Sequence, residues 1–153
     1  MMRMREKLGG PLAITALLFV AATVVFIGEV LAQGKPGIVT ANLDEILKKN
    51  PLAVGQTAKA TPVTKVPGAE LQVIEMSKIK LHSHHQEDHI VFVVRGKGTI
   101  RLDQETRNVK PGDIFMLPKD VPHGFSKSGD ENLVLLVIGT PGWKPLEDTK
   151  FHE

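Results

Sequence analysis

The chain has 153 residues, with 19 Lys and Arg against 17 Asp and Glu, a net charge of +2, and no cysteine. So even a balance leaves no broad basic face, and nucleic acid is excluded as an expected partner. Without cysteine the core must hold together unaided by disulfides, and any metal must be held by nitrogen and oxygen ligands.

Arg3, Arg5 and Lys7 form a basic flank, and no charged residue follows from Leu8 to Gly28. The apolar run closes on Val30, Leu31 and Ala32, which predicts a signal peptide over residues 1–32 with cleavage after Ala32. The alternative is an uncleaved membrane anchor, since about 20 apolar residues span a bilayer. In both readings the basic flank stays cytoplasmic and the rest of the chain is exported, to the periplasm or beyond it. Membrane contact is expected only if the segment is retained. It carries three basic and two acidic residues, so its removal takes the net charge from +2 to +1. What remains is one domain's worth of chain.

Residues 33–69 read as a lead-in. Asn42 can cap a short helix, Glu45 stands three residues on as in a capping box, and Leu43, Ile46 and Leu47 give an apolar stripe. Asn50 and Pro51 stop it. The Thr-, Pro- and Gly-rich stretch that follows predicts an extended arm with turns.

From Glu70 the pattern changes. ELQVIEMS, KIKLHSH, HIVFVVRG, GTIRL, TRNV, DIFMLP, HGFSK and NLVLLVIG are short strand-like runs, separated by Gly96, Gly98, the type II turn pair Pro111-Gly112, Pro118, Pro122 and Ser128-Gly129. Strands at this spacing without helices between them predict an all-β domain over 70–153, an antiparallel sandwich or small barrel of the jelly-roll kind. IVFVV and LVLLVI are apolar on both faces. Leu52, Val54, Val63 and Val66 are too few to cover the second face, so a homodimer packed sheet against sheet is expected.

Four of the six histidines fall between positions 82 and 89. On a regular strand His82 and His84 share a face with Lys80, while Ile79 and Leu81 take the other. His89 opens the next strand on the face of Val91 and Val93. His123, fixed by the prolines before it, can add a fourth imidazole from across the barrel. His85 faces away and His152 lies near the C-terminus, so both read as ordinary polar residues. Imidazoles crowded together without a metal would repel one another on protonation. The constellation therefore points to a metal site made of His82, His84, His89 and His123. Lys80, if it faces inward as this spacing has it, would favour an anionic ligand; the alternative is a solvated lysine at the barrel rim. Val91, Val93, Met116 and Phe125 are expected to line a small apolar pocket.

These blocks resemble the two motifs of the cupin superfamily. His82 and His84 fit the HxH of the first motif, and His89 stands six residues before Gly96, where the family usually has its glutamate. Asp88 fits the shorter spacing of that motif and is the alternative ligand. Gly112, Pro118 and His123 fit the second motif. The departures are Met76, Asp120 and Lys127 where the family has Gly, Gly and Asn. The two lost glycines are expected to alter loops more than chemistry. The resemblance implies a conical β-barrel holding one divalent ion of Mn, Fe, Ni, Cu or Zn, often in a dimer. Loss of the carboxylate would leave that ion a stronger Lewis acid. It also implies a small-molecule ligand. Dioxygenase, isomerase or decarboxylase activity stands open beside a non-catalytic sensing or metal-handling role.

Overall fold

The structure, a computed structural model, describes residues 37–143 and 148–152. The segment expected to be a signal peptide or anchor lies outside them. Asn42 opens the first element: its side-chain oxygen accepts the Glu45 N–H at 3.2 Å and satisfies one free donor of α1 (Leu43–Lys49). Asp44 and Glu45 lie in the first turn and Lys48 and Lys49 in the last, each complementing the helix dipole. Asn50 closes the helix, its N–H bonded to the carbonyls of Ile46 and Leu47. Arg95 donates to the Asp44 carboxylate and ties the helix to the sheet beside it.

Ten strands follow: β1 (Ala58–Val66), β2 (Ala69–Met76), β3 (Lys78–His84), β4 (Asp88–Arg95), β5 (Lys97–Leu102), β6 (Glu105–Val109), β7 (Ile114–Leu117), β8 (His123–Ser128), β9 (Leu133–Thr140) and β10 (Thr149–Phe151). They form two five-stranded antiparallel sheets, ordered β1-β2-β9-β4-β7 and β10-β3-β8-β5-β6. The strands β2 to β9 are the eight runs expected from the sequence. The arm supplies β1, an edge strand whose Pro62 sits where the pairing with β2 shifts register, a position that spares the missing N–H. Pro111 and Gly112 make the expected turn: Gly112 has φ +95°, and the Asp113 N–H closes on the Lys110 carbonyl at 3.1 Å.

Alternation along β4 decides what each sheet face does. His89, Val91 and Val93 turn inward and are buried, whereas Ile90, Phe92 and Val94 turn outward and are half-buried. Cross-strand rows extend the inner face, with Ile90's neighbour Val91 beside Val137 and Phe115, and His89 beside Gly139 and Leu117. The core between the sheets is built from Ile74, Met76, Val93, Ile100, Leu133 and Leu135 with their neighbours. The histidines sit at one end of it.

Candidate metal centre

The aim of His82 and His84 depends on an irregularity in β3. Ile79 pairs with Phe125 and His82 with His123, so two residues of β3, Lys80 and Leu81, stand opposite the single Gly124 of β8. That extra residue is a β-bulge, and it reverses the face parity of the strand. Ile79 therefore lines the interior together with His82 and His84, while Lys80 and Leu81 line a groove on the outer surface. The expectation that Lys80 faces inward is corrected: it is exposed and points away from the histidines. Gly124 leaves room for the bulge, since a Cβ there would lie 3.0 Å from the Ile79 carbonyl oxygen and 3.1 Å from the Leu81 nitrogen.

Three imidazoles converge. Ligand nitrogens of His82, His84 and His123 all lie within 4.8 Å of one another. His82 Nδ1 is 2.8 Å from the Lys80 carbonyl oxygen, and His123 Nδ1 is 2.9 Å from that of Val121. A carbonyl only accepts, so each Nδ1 carries the proton and each neutral ring keeps its lone pair on Nε2. His84 Nδ1 lies 3.3 Å from the Thr149 hydroxyl. Burial, followed by the positive charge the neighbouring rings would carry, pushes His123 down to about 3 and His84 down to about 4. His82 is lowered as well, chiefly by burial. Neutral imidazoles with fixed tautomers and lone pairs turned to a common point are what a divalent ion requires. This histidine cluster could hold a metal ion.

His89 stands beside the three rather than among them. Its ring centroid is 4.7 Å from that of His84, but its Nε2 lies 2.9 Å from the Glu87 carboxylate. The expected set of four imidazoles is thus three imidazoles next to a buried Glu87–His89 pair. Glu87 is 2 % exposed. Strand parity carries the signal, since Glu87 is two residues before His89 and faces the same way. Trp143, the only tryptophan, stacks on His89 with centroids 4.8 Å apart and an interplanar angle of 4°. Gly139 makes room for this group: a Cβ there would come within 3.1 Å of the indole and 3.5 Å of Glu87 Oε2. No periodicity marks Trp143 in the sequence. Asp88, the alternative ligand, instead accepts the Lys119 N–H at 2.9 Å and holds the loop before β8. His85 is exposed and bonded to Asp120, and His152 contacts the Ser83 hydroxyl.

The Cupin domain family profile matches residues 71–139. A Methanocaldococcus jannaschii protein of uncharacterized function is 34% identical over 85 residues, covering 56% of this chain and 67% of its own. The chain belongs to the cupin family. A Bacillus cytotoxicus acireductone dioxygenase is 28% identical over 74 residues, 44% of each chain, so this cupin spans less than half of that relative's length. Among solved structures, a Klebsiella pneumoniae protein with a double-stranded β-helix domain superposes with a TM-score of 0.64 at 17% identity, covering 76% of this chain and 99% of that one. That likeness is one of fold.

Three positions depart from the cupin motifs, and Met76 departs from its expected place in a loop. Met76 ends β2, is fully buried and lines the interior, so its replacement of glycine bears on the cavity rather than on a loop. Asp120 keeps the backbone conformation a glycine would take, with φ +65°, which aspartate tolerates better than most residues. Lys127 lies in β8, where its ammonium donates to the Asp130 carbonyl at 2.7 Å.

Beside the histidines lies a cavity of about 470 Å³ between the sheets. Val91 and Phe125 line it, together with Trp143 and Phe151, which the sequence reading did not select. Val93 is buried deeper in the core and does not line it. Met116 is on the opposite face of β7 and is 58 % exposed.

Proposed function

We propose that this cupin is an exported protein that holds one divalent ion through His82, His84 and His123 and binds a small organic molecule in the cavity beside it. The observation that carries this reading is the pair of Nδ1–H bonds to backbone carbonyls, which leaves the Nε2 lone pairs of His82 and His123 for a metal. An ion held there would supply a Lewis-acid position for an oxygen-bearing head group. An all-imidazole set suits Mn, Fe, Ni, Cu or Zn rather than Mg or Ca. His89 completes the set if its Nε2 leaves Glu87. Otherwise the Glu87–His89 pair holds or moves a proton at Nε2 of His89, a ring that lines the same cavity.

The test is metal content after purification. His82→Ala, His84→Ala and His123→Ala should each lose the ion, whereas His85→Ala and His152→Ala should keep it. A neighbouring group, His84, Glu87 and Asp148, also places ligand atoms within 4.8 Å of one another. Retention of metal by His82→Ala and His123→Ala, with loss in Asp148→Asn, would move the centre there.

A second reading is an enzyme of the dioxygenase, isomerase or decarboxylase kind, favoured by the likeness to the Bacillus acireductone dioxygenases. Turnover of an enediol or other oxygen-rich carbonyl compound that disappears with the metal would establish it.

A further inference from the structure

Resting on the metal reading above, we propose that the molecule bound in the cavity is amphipathic, with one chelating oxygen head at the histidines and a hydrocarbon tail between the sheets. Polyhydroxylated molecules such as sugars and sugar acids are rejected.

The strands set the polarity of the cavity from end to end. His123 precedes Phe125 on β8, and His89 precedes Val91 on β4, so the histidines occupy one end and apolar side chains the rest. The volume, about 470 Å³, is that of a small-molecule site. Among the described residues, no Lys, Arg, Asp, Glu, Ser, Asn or Gln side chain lines it. Apart from the histidines, the polar groups there are the Trp143 indole N–H and the Thr149 hydroxyl, and the latter already lies against His84. A tail of hydroxyls would leave water for a wall of hydrocarbon, and each unpartnered hydroxyl would cost about tenfold in affinity. With Lys80 turned outward, no cation among the described residues remains to receive a second anionic group.

The open side of the cavity is apolar too. It lies between two edge strands, β1 and β10, and is bordered by Ala58, Ala60 and Phe151. Phe151 is 63 % exposed although it lines the cavity. Small alanines on one edge and an exposed phenyl ring on the other make this side of the cavity apolar.

The experiment uses the metal-loaded protein and n-alkyl hydroxamic acids, from acetohydroxamic to octanohydroxamic acid. These share one bidentate oxygen head and differ only in tail length. Trp143, the sole tryptophan, reports binding through its emission. Affinity should rise about three- to fourfold per methylene until the cavity is full. Gluconohydroxamic acid, a hydroxylated tail of similar length to hexanohydroxamic acid, should bind no more tightly than acetohydroxamic acid. Ala60→Leu, on an exposed edge position, should weaken the long tails and spare the short ones. Affinity independent of tail length, or gluconohydroxamic acid binding more tightly than hexanohydroxamic acid, would overturn the proposal. A parallel titration of n-alkyl alcohols into chelator-treated protein separates the two readings. Length dependence there with no metal uptake sustains the apolar tail site and sinks the metal reading, whereas stoichiometric metal with no length dependence does the reverse.

Discussion

Replacing His123 by glutamine should make the metal-free protein less sensitive to acid. His123 is 3 % exposed, and burial together with the charge of neighbouring rings holds it down to about 3, against an ordinary value of 6.5. The unfolded chain therefore takes up a proton that the folded chain refuses. The folded state keeps its full stability above pH 6.5 and loses it progressively as the pH falls toward 3. Between pH 7.5 and 4.5 the unfolded state gains roughly 2–3 kcal/mol from this one ring, because it lies two pH units below its own midpoint, while the folded ring is still neutral. That is a large share of the roughly 5–15 kcal/mol that stabilises an ordinary domain. His84 and His82 act in the same direction. Urea unfolding of chelator-treated protein at the two pH values, followed by Trp143 emission, measures the loss. The wild type should lose about 2–3 kcal/mol more than His123→Gln. Equal losses in the two proteins would refute the argument that the buried imidazole resists protonation.

Gly124→Ala should destabilise the fold by about 1–3 kcal/mol and lower metal content, because its Cβ would press on the β3 backbone that turns His82 inward. Unchanged metal content in a destabilised variant would mean that the bulge survives without the glycine. In solution the mature chain should be a homodimer by light scattering at micromolar concentration, packed through the outward side chains of β4 and β7. Ile114 is 61 % and Met116 58 % exposed there, and Val54 and Val66 of the arm are themselves exposed rather than covering them. Met116→Glu should yield a monomer, and a monomeric wild type would sink the idea. Mass spectrometry of protein isolated from the cell envelope should find Gln33 at the N-terminus, whereas an intact chain in the membrane fraction would establish the anchor.

The strands β2 to β9 were legible because alternation and Gly/Pro punctuation are local, and so was the Asn42 cap. The misreadings of Lys80 and Met116 share one cause: face assignment depends on register with a partner strand. Parity counted along KIKLHSHH put Lys80 with the histidines, but a bulge is a property of the β3–β8 pair and left no mark in β3 itself. In β7 the run Ile114-Phe115-Met116-Leu117 is apolar in both phases, so alternation cannot choose, and the pairing of His89 with Leu117 decides against Met116. Glu87 was readable by the same two-residue rule that selected His89. A carboxylate beside a turn is usually solvated, and the Gly139 and Trp143 that pack beside this one come from β9 and beyond it, far along the chain.

The loops around the histidines explain why the cluster persists although it disfavours its own protonation. The Asp120 N–H donates to the His84 carbonyl at 2.6 Å, the Lys119 N–H to Asp88, and the Asp103 N–H to the Pro122 carbonyl at 2.8 Å. The segment leading into His123 is thereby fastened to both ends of the turn between β3 and β4, and to the end of β5. Any motion that separated His123 from His84 would break backbone bonds at several points at once. Asp120 itself holds the left-handed conformation within this segment. A site held this firmly pays for metal capture in advance: the rings are already neutral and aimed, so little ordering entropy remains to be lost on binding. An ion that binds only the assembled rings would also stabilise the fold, shifting the folding equilibrium by mass action.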